Sequence, residues 1–525
     1  MENRCPYSML MLAVILWLAG SLVAQSRQTS GTGQNEFEWR FSMQQNQTVS
    51  STIEAENGCH SRHRFEVETK TVPPFMRLRG NRSVEVNSQS RQLLPVEFDS
   101  AMMKPGTYEG VVTIRCVDCK GEQGCSLDRQ LLHIYMTVQE LATAAAFVSG
   151  RILVLIPFES TDAVNATAKK LAADHHLEVI EVDHLSSLNT ALIVYKILDG
   201  SDIQEKIKVL LKIPQVQIAQ PDYVYQTSRL HKQEINADAQ LQYGPHLIRA
   251  DRLGSSMAGK GVRIAIVDTG VDFNHPALSR KIAEHVDVTG TGFRPDIHGT
   301  LLAGIIASDP KSAAGIAGIA QQSEIVAIEA CRPSDAQAVQ AECWSLTLAK
   351  GLDLAIQKKV RIINMSLGGP SEKLVTRLVD EAVNRGIVVV AAAGNSGPRG
   401  QPSYPAALPN VIAVTAVDAN EKLYPQATQG DFIDLAAPGV EIVSTGPGAR
   451  LLISSGTSLA TAFVTGVAAL IVEQQPQLSP QAIQALMERT AKDLGPPGKD
   501  TQFGSGLIDA CKAIAQLTSD QRLCR

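Results

Sequence analysis

The 525-residue chain is predicted to carry an α/β domain built on a parallel sheet, preceded by an α+β unit and an all-β module. Three observations predict this. From about residue 241, short apolar runs alternate with stretches of helical length, the pattern of βα repeats whose strands are covered on both faces. Residues 150–226 read β-α-β-β-α-β, the order of a ferredoxin-like unit. Residues 37–139 hold only short alternating runs broken by turn residues such as Pro105-Gly106, as in a small β-sandwich-like module. At roughly 100–200 residues per domain, the length fits this division.

The elements follow in order. Residues 1–26 have the layout of a signal peptide: Arg4, an almost wholly apolar stretch from Met9 to Val23, then small residues, with cleavage expected after Ala24 or Ser26. That run is short for a membrane span of about 20 residues. No later segment is long and apolar enough to cross a bilayer, so no stable membrane span is expected; the signal-peptide layout of residues 1–26 makes the protein read as secreted or periplasmic. Residues 27–36 are polar and Gly/Ser-rich, a linker pattern. Strands are expected at 37–41, 108–114 and 133–138 in a module that shows no catalytic constellation and reads as structural or binding.

In the α+β unit, strands are expected at 151–156, 177–182, 191–197 and 216–219. One helix is expected over 162–175 with Thr161 as cap, and another runs to about Leu211 from the capping box Ser201-x-x-Gln204. Residues 227–240 read as an exposed connection. In the domain from 241 to 517, buried strands are expected at 262–267, running into Asp268, and at 324–328, 361–365 and 387–393. Helices are expected at 301–307, 346–358 and 374–384, and Phe463 to Val472 is a continuous apolar stretch.

Lys and Arg number 48 against 53 Asp and Glu, and no basic block stands out, which excludes nucleic acid as a partner class. Of nine cysteines, Cys5 lies in the signal segment. In an exported protein the remaining even number favours disulfides. Cys331 and Cys343 suggest one local pair, and Cys511 and Cys524 another. Among Cys59, Cys116, Cys119 and Cys125 the pairing stays open, and Cys116-x-x-Cys119 also permits zinc.

Four segments carry chemistry. Ser458 follows Gly456-Thr457 and opens the apolar stretch, so its hydroxyl is expected at a helix N-terminus, where backbone N–H groups favour developing negative charge. Asp268 closes a buried strand within Asp268-Thr269-Gly270. The chain holds only one Asp-Thr-Gly, whereas an aspartic protease needs two aspartates sharing a proton. His298 lies in Asp296-Ile297-His298-Gly299-Thr300, before the helix expected from Leu301. Asn395 follows a buried strand in Ala393-Gly394-Asn395. A serine hydroxyl is a poor nucleophile until a base takes its proton. Histidine supplies that base near neutral pH, a buried carboxylate fixes its tautomer, and a side-chain amide stabilises the tetrahedral oxyanion.

The chain resembles the subtilisin-like serine proteases over about residues 241–517. The resemblance rests on Ile266-Val267-Asp268-Thr269-Gly270-Val271-Asp272, His298-Gly299-Thr300, Ile363-Asn364-Met365-Ser366-Leu367-Gly368-Gly369-Pro370, Ala392-Ala393-Gly394-Asn395, Gly456-Thr457-Ser458 and Phe503-Gly504-Ser505-Gly506-Leu507-Ile508-Asp509. It implies Asp268 as orienting acid, His298 as base, Ser458 as nucleophile, and Asn395 with the Ser458 backbone N–H as oxyanion donors. It further implies that Ser366, Leu367, Gly368 and Gly369 pair with the backbone of an extended polypeptide substrate, and that Gly394 and Ser403 line the pocket for the residue before the scissile bond. Residues 150–226 resemble the family's pro-domain, an intramolecular inhibitor, which implies self-cleavage between Tyr225 and Gln240. Two positions depart from the family pattern: Ala462 replaces a proline, and Ala277 replaces the aspartate of a calcium site after His275-Pro276. The loop 308–314 also differs, so calcium keeps an incomplete ligand pattern and no metal residue is assigned. The alternative reading is an inert protease-like adhesin or scaffold that binds through the β module, a role that would not need all four of Asp268, His298, Asn395 and Ser458.

Overall fold

The structure is a computed structural model. It describes residues 25–29, 35–44, 48–57, 63–68, 76–78, 83–87, 90–99, 106–117 and 129–139, then 146–227, 233–235, 242–254, 257–312, 315–333 and 340–520. Most of the expected signal segment and Cys59, Cys119, Cys125 and Cys524 lie outside the described residues. The chain divides into two compact units, residues 1–144 and 145–525.

Among its described residues the first unit is all β. Its strands are β1 (Gln25–Thr29), β2 (Asn35–Gln44), β3 (Thr48–Asn57), β4 (His63–Val67), β5 (Met76–Leu78), β6 (Ser83–Val86), β7 (Ser90–Asp99), β8 (Gly106–Cys116) and β9 (Arg129–Gln139). They form two sheets, in the orders β1-β2-β9-β8-β4-β6 and β3-β7-β5. Phe65 and Val67 on β4 are buried around the half-buried Glu66, the period-two pattern of a strand with one covered face. The linker expected at 27–36 is corrected: the last three residues of β1 and the start of β2 fall within it, because backbone pairing from Gln25↔Arg40 to Thr29↔Glu36 needs no apolar side chains.

The second unit begins with β10 (Phe147–Pro157), α1 (Thr161–Asp174), β11 (Leu177–Leu185), β12 (Thr190–Ile197), α2 (Ile203–Leu210) and β13 (Ile218–Thr227). These strands pair antiparallel in the order β11-β12-β10-β13. Ile152, Val154, Ile193 and Tyr195 pack under Val164, Leu171 and Ile207 of the two helices. The opposite face, with Leu153, Leu155, Leu192 and Val194, is buried against the larger domain. Covering both faces explains apolar runs where a free-standing sheet would alternate. The helix caps shift by one residue from expectation: Ser160 accepts from Ala163 N, and Asp202 accepts from Gln204 N and Glu205 N. Ser201 instead donates to Asp199.

The larger domain follows. Its elements are β14 (Gln233–Ile235), α3 (Tyr243–Leu247), β15 (Arg263–Asp268), β16 (Ile282–Asp287), α4 (Ile297–Ala307), β17 (Glu324–Glu329), β18 (Cys331–Pro333), β19 (Ala341–Trp344) and α5 (Ser345–Gln357). Next come β20 (Ile362–Met365), β21 (Leu367–Gly368), α6 (Lys373–Asn384), β22 (Val388–Ala392), β23 (Ile412–Val417), β24 (Leu435–Pro438), β25 (Ile442–Gly446) and β26 (Arg450–Ser454). The chain closes with α7 (Thr457–Gln474), α8 (Pro480–Thr490) and α9 (Ala510–Thr518).

A seven-stranded parallel sheet, β16-β17-β15-β20-β22-β23-β24, forms the centre. Helices α4 and α7 pack on one face, and α5 and α6 on the other. The strand order reverses at β15, so the carboxyl end of β15 lies where open α/β sheets carry their sites. Among the described residues α7 alone is a helix long and apolar enough to cross a membrane, and it is buried inside the domain. The expected Cys331–Cys343 disulfide joins directly opposed residues of β18 and β19. Cys116 and Cys511 are also disulfide-bonded.

Candidate active site

Asp268 is the last residue of β15 and is fully buried. Its Oδ1 accepts from Thr269 N at 2.7 Å and contacts His298 Nδ1 at 2.6 Å. This contact assigns the Nδ1 proton toward the carboxylate and leaves Nε2 as the basic nitrogen. His298 lies inside a helix rather than before one: Asp296 caps α4 through His298 N at 2.9 Å, which makes His298 its second residue. Asp296 is itself fixed by Thr269 Oγ1 at 2.9 Å. Gly299 allows the close approach of helix and strand, since a Cβ there would come within 2.4 Å of Thr269 O. Burial pulls the His298 pKa down, but the Asp268 charge and hydrogen bond, with Asp296 behind them, leave it raised above the usual value.

Ser458 is the second residue of α7 and is also fully buried. Its hydroxyl donates to Ser366 O at 3.0 Å. The expected bond to His298 is not made in this state: His298 Nε2 is buried with no hydrogen-bond partner. Asn395 follows β22. Its Oδ1 accepts from Thr457 N at 3.1 Å and Thr457 Oγ1 at 2.9 Å. Its Nδ2 is buried without a partner. A buried imidazole acceptor and a buried amide donor, both unsatisfied, are what a site holds open for a reacting group.

The expected substrate-binding residues come together around a strand. Residues Gln226 and Thr227 at the end of β13 pair antiparallel with Gly368 and Leu367 of β21. On the other side of β13, Val224 to Gln226 pair with Trp344 to Glu342 of β19. Gly369 exchanges backbone bonds with Tyr404 at 2.9 and 3.0 Å. Gly394, at φ +105°, and Gly368 both face Ser403: a Cβ would lie 3.4 Å from Ser403 Cβ at the first and 1.9 Å from Ser403 Oγ at the second.

Sequence reasoning assigned no role to Asn364, Thr465 or Thr457. Asn364 Nδ2 donates to Ser366 Oγ at 2.9 Å, and Thr465 Oγ1 donates to Asn364 Oδ1 at 2.9 Å. An asparagine inside the apolar run Ile362 to Met365 was the available signal. At the position of the family's calcium ligand, Ala277 offers no side-chain oxygen and its carbonyl accepts from Asp309 N, so the residues present do not fit that ion there.

The Subtilase family profile matches residues 259–506. Thermitase of Thermoactinomyces vulgaris is 38% identical over 277 residues, which is 52% of this chain and 95% of that protein. A thermophilic serine proteinase of Bacillus sp. (strain AK1) is 32% identical over 386 residues, covering 72% of this chain and 91% of the relative. Subtilisin E of Bacillus subtilis (strain 168) is 34% identical over 320 residues, 60% of this chain and 79% of that one. Among solved structures, fervidolysin from Fervidobacterium pennivorans shares the fold with a TM-score of 0.59 at 24% identity, over 71% of this chain and 62% of its own.

Proposed function

Because the chain belongs to the subtilase family of serine peptidases, we propose that it is an exported endopeptidase, made as a self-processing zymogen, in which Asp268, His298 and Ser458 form the triad. The observation that carries the reading is the 2.6 Å contact between Asp268 Oδ1 and His298 Nδ1, with Nε2 buried and without a partner. Nε2 takes the Ser458 proton as Oγ attacks the scissile carbonyl carbon. The oxyanion is held by Asn395 Nδ2 and the Ser458 backbone N–H. His298 then returns the proton to the leaving amine, and water hydrolyses the acyl-enzyme by the same route.

Substrates are extended polypeptides bound by backbone pairing to Ser366, Leu367, Gly368 and Gly369, with Gly394 and Ser403 walling the pocket for the residue before the scissile bond. Residues 150–226 act as the inhibitory pro-domain. In support, β13 fills the groove between β19 and β21 as a substrate strand would. Self-cleavage falls between Tyr225 and Gln240. The signal-like residues 1–26 direct export. The test is expression of the full chain beside its Ser458→Ala variant. The native chain is expected to cut itself in that interval and then hydrolyse casein, and the variant to stay intact. Maturation of the variant at the native rate would refute self-processing.

A further inference from the structure

β19 stands between β13 and β18: Val224 to Gln226 pair with it on one side and Cys331 to Pro333 on the other. When β13 leaves the groove, β18 is the one sheet partner that β19 keeps among the described residues. The two ends of β19 are held differently. Trp344 N donates to Thr347 Oγ1, which donates in turn to Ala330 O, so this end is fixed to α5. At the other end Ala341 N donates to Thr227 Oγ1, a contact that departs with β13. What remains there is β18. Its Cys331 is bridged to Cys343, and both are fully buried. The next residue, Arg332, reaches into the loop that leads to α4: Nε donates to Thr289 Oγ1 at 2.6 Å and Nη2 to Gly292 O at 2.8 Å. Nη2 also lies 3.3 Å from both Asp287 Oδ1 and Glu329 Oε1. Those carboxylates are themselves held, Asp287 Oδ2 by Thr291 N and Gly292 N, and Glu329 Oε2 by Arg294 N. With side-chain exposures of 14% for Arg332, 10% for Asp287 and 2% for Glu329, this is a buried ion cluster and not a loose surface pair.

We propose that β18 is a clamp that positions β19 as a wall of the peptide groove, with Arg332 and the Cys331–Cys343 bridge as its positioning residues. The inference rests on the groove being the peptide-binding site proposed above. The bridge ties β19 to β18, and Arg332 ties β18 to the body of the domain, so the wall keeps its place while the groove is empty. A substrate strand then pairs with a pre-formed edge, and no binding energy is lost in ordering that edge. In the register of β13, the residues that face β19 are the second to fourth before the one opposite Ser366, whose carbonyl receives the Ser458 hydroxyl. Neither Arg332 nor the bridge reaches the reacting atoms, so their effect falls on substrate affinity and not on the chemical step.

The test uses the matured enzyme, its concentration set by fluorophosphonate titration, on an N-blocked pentapeptide anilide, which spans these positions, and on a single-residue ester, which does not. In the Cys331→Ala/Cys343→Ala double variant, KM for the anilide is expected to rise about ten-fold, with its kcat and both ester constants within about two-fold of wild type. Arg332→Lys keeps the charge but loses the planar fork that reaches all these oxygens, and the same selective rise is expected at about three-fold. A wild-type KM on the anilide in the folded double variant, or an equal rise on the ester, would overturn the proposal. If the double variant does not fold, Arg332→Lys decides by the same two criteria. No ester hydrolysis and no titratable serine in wild type would sink the peptidase reading beneath it, whereas an active wild type with insensitive variants sinks only the clamp.

Discussion

Ser458 and Ser366 hold each other: the Ser458 hydroxyl donates to the Ser366 carbonyl at 3.0 Å, and the Ser366 hydroxyl donates to the Ser458 carbonyl at 3.0 Å. Through Asn364 and Thr465 this pair ties the first turn of α7 to β20. Ser366→Ala removes one donor and leaves Asn364 Nδ2 short of an acceptor. The variant is expected to lose about 1–3 kcal/mol of stability in denaturant titration. Its kcat/KM is expected to fall between about ten- and a hundred-fold as the nucleophile loosens. Wild-type kinetics in S366A would show that the pair does not position the nucleophile.

Asp268→Asn tests the tautomer. An asparagine amide can donate to Nδ1, which moves the imidazole proton to Nε2 and blocks the base. The expected loss in kcat is about 10⁴-fold with KM nearly unchanged. A loss under ten-fold would mean that the 2.6 Å contact does not set the tautomer.

Asn395→Ala removes the unpartnered Nδ2 and also the acceptor for Thr457. Loss of one oxyanion donor typically costs about 10²–10³ in kcat, and KM is expected to hold. A rise in KM at constant kcat would place Asn395 in substrate binding instead.

Release of residues 150–226 after cleavage is expected to depend on pH. Burial raises the pKa of Asp222 against the opposing Leu346 N and Arg151. It does the same to Glu372 against Gln220, Val375 N and Leu374 N, and to Asp183 against Lys350. Raised carboxyl groups favour the protonated, assembled state, so this contribution is full below their ordinary pKa and is lost as pH rises through the raised values. Chromatography of the cleaved complex is expected to show faster separation at pH 8 than at pH 5. The reverse order would contradict the assignment of these carboxyls to the interface.

The centre of the sheet was legible in the sequence because β15, β17, β20 and β22 are largely apolar runs, and the run from Val262 ends on Asp268 at the strand's carboxyl end; β16, with Glu284, His285 and Asp287 at the sheet edge, carries no such run. The caps were harder: Ser160 and Thr161, or Ser201 and Asp202, are adjacent capping types, and the chain's path into the helix decides between them. Non-local pairing was not legible. Residues 223–227 lie outside the expected strand at 216–219, and contact with β19 and β21 makes them part of β13. The Ser458 hydroxyl orientation belongs to the same class, since it depends on Ser366, distant along the chain.

The most direct measurement is peptide mapping by mass spectrometry after the matured protein has reacted with a fluorophosphonate. One adduct is expected, on Ser458, absent from the Ser458→Ala protein and strongly reduced in His298→Ala. No adduct in fully processed protein, or an adduct on a different serine, would contradict the account.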